Sequence, residues 1–277
     1  RIRVTARVGR LAIRPLSKRA RVMSESFYDL VQLTDPHYLA DPDGRLKDVH
    51  TRTTFVQVLT TALAESPPPV AILLTGDVTQ DGSRAGYEGI REDLARAGVP
   101  VWSLAGNHDD PVVMAEVMSG DGFHFCAPQR LGPWEVLLVS TWDGDRGGGR
   151  VGEAGLQTLA RQLAASAAEH ILVCLHHQPT PMGCAWLDGV GLDDAADFMA
   201  VVDGDERIRG LVWGHVHQAL DETRGALRLM STPSTCFQFL PRQDDFGIDP
   251  RPPGYRQLRL HDDGRIETAV RRIATSD

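Results

Sequence analysis

The sequence of 277 residues lacks any apolar run near the roughly 18 residues that a membrane-spanning helix needs. It has only four cysteines, none of them in a Cys-x-x-Cys pair: Cys126, Cys174, Cys184 and Cys236. These absences argue against an integral membrane protein, a zinc finger and a disulfide-stabilised scaffold. We therefore expect four free thiols in a reducing compartment, and hence a cytoplasmic protein with no membrane partner.

Basic residues are also scarce over most of the chain. The sequence has 29 Lys and Arg against 37 Asp and Glu, a formal net charge of -8. Residues 1–22 carry eight basic side chains and no acidic one, which leaves 21 basic against 37 acidic residues, a net charge of -16, in residues 23–277. Because nucleic acids are bound on basic surfaces, this acidic body predicts that nucleic acid is not a partner.

The basic segment 1–22 precedes Met23, the first methionine of the sequence. Its apolar residues are scattered, without the apolar block of a secretory signal. An organelle transit peptide is one interpretation, and translated upstream sequence is the favoured one. We predict that residues 1–22 are a basic extension outside the fold and that residues 23–277 form a single catalytic domain.

The distribution of apolar residues predicts an α/β fold. Six short apolar runs are typical of buried strands: Leu30–Leu33, Val70–Thr75, Val101–Leu104, Val136–Val139, Ile171–Leu175 and Ile208–Trp213. Three segments predict helices, the second capped by Asp81: Phe55–Leu63, Ser83–Ala97 and Glu153–Ala168. Three later segments predict hairpins at a sheet edge: Leu227–Met230, Tyr255–Leu260 and Ile266–Ile273. Residues 143–149 and 243–253 are predicted loops.

Five of the predicted strands run directly into polar residues. These clusters are Thr34–His37, Gly76–Asp81, Gly106–Asp109, His176–Pro179 and Gly214–His217. In open α/β sheets the loops after the carboxyl ends of the strands form the functional crevice. A single histidine in such a loop is more often structural than functional, but five equivalent clusters of Asp, Asn and His are not explained by packing.

The residue types in these clusters suit a metal centre. Carboxylate, amide oxygen and imidazole ligands favour Mn, Fe, Zn or Co. Strand periodicity predicts that Asp35 and His37 share one face of a strand, as do His215 and His217. Glycines before the clusters are expected to allow close backbone approach: Gly76, Gly106 and Gly214.

The motifs Asp-x-His, Gly-Asp-(x)3-Asp, Gly-Asn-His-Asp, His-His and Gly-His-x-His occur in this order over residues 35–217. The ordered set resembles the calcineurin-like metallophosphoesterase superfamily, which implies a four-layer α/β/β/α sandwich of two mixed sheets. Residues 183–188, 232–239 and 253–256 further resemble the bacterial class III 3′,5′-cyclic AMP phosphodiesterases, so that the resemblance covers about residues 27–273. One departure is Gln178, where the bacterial enzyme has a third histidine.

The resemblance implies two divalent metal ions. Fe²⁺ or Mn²⁺ is the favoured identity, with Zn²⁺ or Co²⁺ as alternatives. The implied ligands are Asp35, His37, Asp77 and His217 for the first ion, and Asp77, Asn107, His176 and His215 for the second. A hydroxide between the ions would open 3′,5′-cyclic AMP to 5′-AMP and so lower intracellular cyclic AMP. The implied catalytic residues are His108, on the departing oxygen, and Asp109, which would orient that imidazole, while His177 would orient a metal ligand.

The expected partner is a small cyclic nucleotide, bound by a monomer or a homodimer. The implied substrate contacts are His37, Asp77, Asn107, His108 and His217. Trp186 and Phe237 either stack on the adenine or only pack a lid. The alternatives are a broader metallophosphodiesterase for glycerophosphodiesters or 2′,3′-cyclic nucleotides, and a non-catalytic interaction module, which the complete ligand set disfavours.

Overall fold

A computed structural model describes residues 26–65, 67–144 and 146–274. The predicted basic extension, residues 1–22, lies outside the described residues, as does Met23. Within the described ranges no helix combines the length and the apolar composition needed to cross a membrane. All four cysteines are described and are free thiols, as predicted.

The described residues form sixteen strands and six helices. The strands are β1 (Phe27–Leu33), β2 (Arg45–Leu46), β3 (Val49–His50), β4 (Ala71–Thr75), β5 (Val101–Leu104), β6 (Phe123–Phe125), β7 (Gln129–Leu131), β8 (Trp134–Leu138), β9 (His170–Leu175), β10 (Ile208–Trp213), β11 (Leu220–Arg224), β12 (Leu227–Ser231), β13 (Gln238–Phe239), β14 (Ile248–Asp249), β15 (Gly254–His261) and β16 (Ile266–Arg272). The helices are α1 (Thr51–Leu63), α2 (Arg84–Ala95), α3 (Pro111–Val117), α4 (Gly152–Ala165), α5 (Ala185–Asp188) and α6 (Ala195–Asp203).

Two six-stranded mixed sheets carry the architecture. The first has the order β16-β15-β1-β4-β5-β6 and the second β11-β12-β10-β9-β8-β7. In the first sheet β1, β4, β5 and β6 are parallel, whereas β15 and β16 are antiparallel to their neighbours. In the second sheet β8, β9, β10 and β12 are parallel, and β7 and β11 pair antiparallel at the edges. The carboxyl ends of β1, β4 and β5 thus share one edge, and those of β9 and β10 share another.

Alternating side chains divide the core into three layers of contacts. Leu30, Leu73 and Leu172 belong to the cluster between the two sheets. Their neighbour Val31 faces the other way and packs with α1, α2 and α3, while Val173 packs with α4 and α6. The layers are therefore helix, sheet, sheet and helix, which confirms the predicted α/β/β/α sandwich of two mixed sheets.

A buried arginine, Arg256 on β15, joins the two sheets. Its guanidinium donates hydrogen bonds to the Thr232 and Thr268 hydroxyls and to the carbonyls of Leu220 and Ser231, at 2.6–3.2 Å. Burial lowers the pKa of Arg256 to about 10. These donors therefore satisfy acceptors from both sheets where packing excludes water.

Most predicted elements are present, with shifted ends. The six predicted strands correspond to β1, β4, β5, β8, β9 and β10, and the three late segments to β12, β15 and β16, whereas β11, which pairs with β12, was not predicted. Ser83, not Asp81, caps α2: its side chain accepts a hydrogen bond from the Gly86 N–H, so the prediction for Asp81 was wrong. Asp81 instead accepts from the backbone N–H groups of Ala40 and Ser83, and so stabilises the loop before the helix.

Candidate metal centre

The predicted ligands converge at the edge where both sheets present the carboxyl ends of their parallel strands. The predicted ligands lie in five loops, each directly after a strand. Asp35 and His37 follow β1, Asp77 follows β4, Asn107 follows β5, His176 follows β9, and His215 and His217 follow β10. The two sheets therefore supply the site jointly. This edge is where the fold predicts a functional crevice.

The first group of ligand atoms surrounds His37 and His217. The Nε2 atoms of these two imidazoles face each other at 3.3 Å. Asp35 Oδ1 lies 3.3 Å from His217 Nε2, and Asp77 Oδ2 lies 3.8 Å from His37 Nε2. Two imidazole nitrogens and two carboxylates directed at one point form a donor set for a divalent cation.

The second group surrounds His176. Its Nε2 lies 3.3 Å from Asp77 Oδ1 and 3.2 Å from Asn107 Oδ1. The His215 ring lies 5.1 Å from that of His176, and its buried Nε2 has no hydrogen-bond partner among the described residues. Asp77 touches the first group through Oδ2 and the second through Oδ1, so its carboxylate is placed to bridge two ions.

The backbone of the ligands is unusual. Five of the seven have a positive φ: Asp35 (51°), His37 (49°), Asp77 (47°), His215 (64°) and His217 (47°). Non-glycine residues rarely adopt this left-handed region, and such strain concentrates at functional sites. It also corrects the sequence argument, because β1 ends at Leu33 and β10 at Trp213, so that the Asp-x-His and His-x-His pairs lie beyond the strands and are aimed by turns, not by strand alternation.

The glycines before the clusters are required by close contact, as expected. A Cβ added at Gly76 would lie 2.3 Å from His176 Nδ1, and one at Gly214 would lie 2.1 Å from the Thr34 hydroxyl. A Cβ at Gly106 would lie 2.2 Å from Asp77 Oδ1. Only glycine therefore leaves room for the ligands at these three points.

Neighbouring groups hold the ligands in orientation. His176 Nδ1 donates to the Thr75 carbonyl at 2.8 Å, and His217 Nδ1 donates to the Phe237 carbonyl at the same distance. Both rings therefore present Nε2 to the site. Asp35 accepts from the His215 backbone N–H at 3.1 Å and from the Thr34 hydroxyl at 2.6 Å. Such outer contacts fix the tautomer and position of metal ligands.

Burial and charge set the protonation of the cluster. Burial lowers the pKa of His37 to about 4 and that of His215 to about 3. Burial opposes ionisation of Asp77, but the facing imidazoles, chiefly His176, outweigh it and hold its pKa well below the usual range. Burial alone would lower the pKa of His176, yet the carboxylates of Asp77 and Asp35 outweigh it and raise that pKa to about 9.

These directions test whether metal ions suit the site. The carboxylates are ionised and His37 and His215 are neutral, which is the state that binds a cation. The carboxylates favour a positive charge at His176 Nε2, a charge that a cation can provide in place of a proton. Cys236 lies near His37 and His217, but burial raises its pKa to about 12, so it remains a thiol. Oxygen and imidazole donors therefore fit divalent ions, as predicted.

His108 and Asp109, although adjacent in the chain, have different hydrogen-bond partners. Both oxygens of Asp109 accept from the loop after β4, at the Val78 and Thr79 N–H groups, and Oδ2 also accepts from Gly106 N–H. The exposed His108 ring instead meets the Gln80 side-chain amide, with Nε2 of Gln80 3.1 Å from Nδ1. These contacts assign the orientation of His108 to Gln80, whereas we had expected Asp109.

His177 lies behind the second ligand group. Its ring centroid lies 4.8 Å from that of His176 and 4.6 Å from that of His215. Its Nδ1 contacts the Thr141 hydroxyl at 2.8 Å. A Cβ at Gly149 would lie 2.1 Å from the same Nδ1, so the ring is also packed tightly against the backbone at Gly149.

A cavity of about 470 Å³ opens onto the ligands. Part of its lining consists of His37, Asp77, Asn107, His108, His215 and His217. The rest of the lining is mainly apolar and includes Leu46, Trp186, Val190, Phe237, Phe239 and Phe246. This volume and composition suit a small organic ligand with one charged group.

Comparison with known proteins agrees with this geometry. Residues 28–219 match the family model of the calcineurin-like phosphoesterases. The chain is 37% identical over 244 residues to the 3′,5′-cyclic adenosine monophosphate phosphodiesterase CpdA of Pseudomonas aeruginosa, covering 88% of this chain and 89% of that protein. It is 35% identical over 261 residues to CpdA of Escherichia coli strain K12, covering 94% and 93% respectively.

Among solved structures, a dimetal phosphatase from Danio rerio has a similar fold. The TM-score is 0.62 at 14% sequence identity, covering 88% of this chain and 98% of the other. At this identity the likeness concerns the fold alone. The match of residues 28–219 to the family model and the 37% identity to a relative over 88% of the chain show that the chain belongs to the calcineurin-like metallophosphoesterase family.

Proposed function

We propose that the protein hydrolyses 3′,5′-cyclic AMP to 5′-AMP in the cytoplasm and so lowers intracellular cyclic AMP. The observation that carries this proposal is the position of Asp77, whose two carboxylate oxygens face two different groups of ligand atoms. The substrate is proposed because relatives that match about 90% of the chain are named cyclic AMP phosphodiesterases.

In this proposal Asp35, His37, Asp77 and His217 hold one divalent ion, and Asp77, Asn107, His176 and His215 hold the other. Fe²⁺ or Mn²⁺ best suits the mixed oxygen and imidazole donors, with Zn²⁺ and Co²⁺ as further candidates. When bound, two such ions polarise the phosphoryl oxygens and lower the pKa of water, so that hydroxide is available near neutral pH.

The protein's own residues position the substrate and stabilise the departing oxygen. His37, Asp77, Asn107, His108 and His217 all line the cavity, and in this proposal they contact the cyclic phosphate. Because an amide N–H can only donate, the Gln80 contact requires His108 Nδ1 to accept and leaves its proton on Nε2. In this tautomer the Nε2–H donates a hydrogen bond that stabilises the charge on the departing 3′ oxygen as the ring opens. Transfer of a proton to that oxygen would instead require the imidazolium form, in which Nδ1 no longer accepts from Gln80.

Asp109 contributes to this chemistry by position. It ties the loop that carries Asp77 to the loop that carries Asn107, through hydrogen bonds of 2.9–3.1 Å to three backbone N–H groups. The Tyr87 hydroxyl donates a further bond at 3.0 Å. Asp109 therefore keeps the two loops, and with them His108, in register.

A substrate and metal panel tests the proposal. The purified protein, loaded with Mn²⁺ or Fe²⁺, is expected to convert 3′,5′-cyclic AMP to 5′-AMP, identified by chromatography, and to act less well on glycerophosphodiesters and 2′,3′-cyclic nucleotides. Asp77→Asn keeps the shape and the left-handed preference but removes the charge, and is expected to lower kcat/KM by roughly 100-fold or more. Asp121→Asn, at an exposed aspartate with φ 51°, is the matched control. Turnover of other diesters without turnover of cyclic AMP would refute the substrate.

A further inference from the structure

Part of the cavity lining is aromatic and lies beside the ligands, and the hydrolytic chemistry does not use it. Three rings form what we call the aromatic wall: Trp186, Phe239 and Phe246. Their centroids lie 5.0–5.5 Å apart at interplanar angles of 67–83°, which are edge-to-face contacts. Phe239 also stacks on His217 at 4.2 Å, so the wall begins directly beside a predicted metal ligand.

The wall is built from separate segments that are fixed to one another. Trp186 lies in α5, Phe239 in β13, and Phe246 in the loop before β14. The Trp186 backbone N–H donates to the Asp244 carbonyl at 3.2 Å, and the Leu240 N–H donates to the Gly247 carbonyl at 2.8 Å. These bonds hold the loop against α5, so Phe246 is positioned although its side chain is 48% exposed.

The side chain of Lys47 places a positive charge beside the aromatic wall. Lys47 lies in the two-residue turn between β2 and β3, where both Lys47 (φ 50°) and Asp48 (φ 65°) are left-handed, as tight hairpin turns require. Its Nζ lies 5.3 Å from the centroid of the Phe246 ring. Within the part of the chain that the structure describes, no acidic side chain pairs with Lys47. Its charge is therefore available to a ligand.

The composition of this part of the cavity indicates the class of ligand. The Phe246 side chain is 48% exposed, and the Lys47 Nζ lies beside its ring. The site therefore combines an exposed aromatic face with a cation. A flat heteroaromatic ring with acceptor nitrogens matches both features.

We propose that the aromatic wall and Lys47 form the subsite for the purine base of the substrate, with Phe246 as its main stacking face. This inference rests on the proposed function, because a cyclic nucleotide places its base one sugar away from the phosphate that the metal ligands receive. Phe237, for which the sequence left base stacking and lid packing open, is buried with its ring 6.0 Å from that of His37 and 5.0 Å from that of His217, and so packs against those ligands. A glycerophosphodiester has no ring to cover the wall, so the subsite favours nucleotides.

Phe246→Ala tests the subsite, with Ile248→Ala as the matched control. Both residues are exposed apolar side chains, 48% and 42% accessible, with Phe246 in the loop before β14 and Ile248 at the start of β14, but only Phe246 lines the cavity. The substrates are 3′,5′-cyclic AMP and its base-free counterpart, the methyl riboside 3′,5′-cyclic phosphate. Phe246→Ala is expected to raise KM for cyclic AMP roughly ten- to hundredfold, with little effect on kcat, and to leave the base-free substrate within about twofold. Phe246→Trp is expected to restore the KM.

Three outcomes decide the question. The expected split between the two substrates, absent in Ile248→Ala, supports the base subsite. If Phe246→Ala affects both substrates equally, or neither, the inference is overturned while the proposed function stands. If the wild-type protein hydrolyses cyclic AMP with none of the four metals, the proposed function fails, and this inference fails with it.

Discussion

Gly106→Ala is a sharp test of the ligand geometry, because the added methyl group meets the side chains of two predicted ligands and a backbone nitrogen that cannot rotate away. The new Cβ would lie 2.2 Å from Asp77 Oδ1, 2.4 Å from the Asp77 backbone nitrogen and 2.7 Å from His176 Cε1. Gly106 does not have a left-handed φ, so alanine is compatible with its backbone. The substitution therefore probes crowding alone.

The size of the effect follows from these distances. Ordinary contact begins at 3.4 Å, so either the Asp77 loop or the Gly106 loop must move by about 1 Å. A displacement of that size at a reacting centre costs on the order of 100-fold in rate. We expect kcat/KM to fall by about that factor and the free energy of unfolding to fall by about 1–3 kcal/mol.

Gly89→Ala provides the control. Gly89 lies in the middle of α2, and the nearest atom to its added Cβ is 3.8 Å away. Alanine there is expected to raise the free energy of unfolding by about 0.5–1 kcal/mol through helix propensity and to leave activity unchanged. Urea unfolding, steady-state kinetics and metal content by mass spectrometry measure both variants. Wild-type activity and metal content in Gly106→Ala would refute the close approach of the two loops.

Two further predictions concern single side chains. Asn107→Ala removes the oxygen that lies 3.2 Å from His176 Nε2, and we expect it to lose one of two metal equivalents together with turnover; full activity at normal metal content would contradict that role. Arg256→Met leaves two buried and two partly buried acceptors without their donor and is expected to lower the free energy of unfolding in urea by about 3 kcal/mol. Arg84→Met, at a half-exposed side chain, is the control and is expected to change the free energy of unfolding by less than about 0.5 kcal/mol. Equal losses in the two variants would argue against a stabilising role of Arg256 between the sheets.

The sequence allowed the two sheets to be predicted because buried parallel strands are short apolar runs, such as Val101–Leu104, that need no long-range information. The ligands could be found because each follows such a run. The edge strand β11 was missed because four of its five residues are exposed and its sequence, Leu-Asp-Glu-Thr-Arg, has almost no apolar pattern. Helices α3, α5 and α6, of 7, 4 and 9 residues, were also missed, because each is too short to show a helical period of apolar residues.

Some details of the site could not be predicted from the sequence, for a different reason. The contact between Gln80 and His108 joins residues 28 positions apart, and no local pattern encodes it. The same holds for Phe246 and Lys47, which meet only because two loops fold over one cavity. The left-handed ligands were not predicted either, because strand periodicity was extended past the last strand residue. A polar cluster directly after a strand and a glycine is the signal that could have indicated a turn.

The left-handed backbone at five ligands restricts which amino acids can replace them. Asp, Asn and His are several-fold enriched among non-glycine residues with positive φ, and they are also good donors to divalent ions. Each of these positions therefore has two requirements: a side chain with a metal-donor atom, and a residue type that tolerates a positive φ. A longer or sulfur ligand, such as Glu at Asp35 or Cys at His215, meets the first requirement but not the second. Redesigning this centre for a different metal therefore requires rebuilding the loops as well as exchanging the side chains.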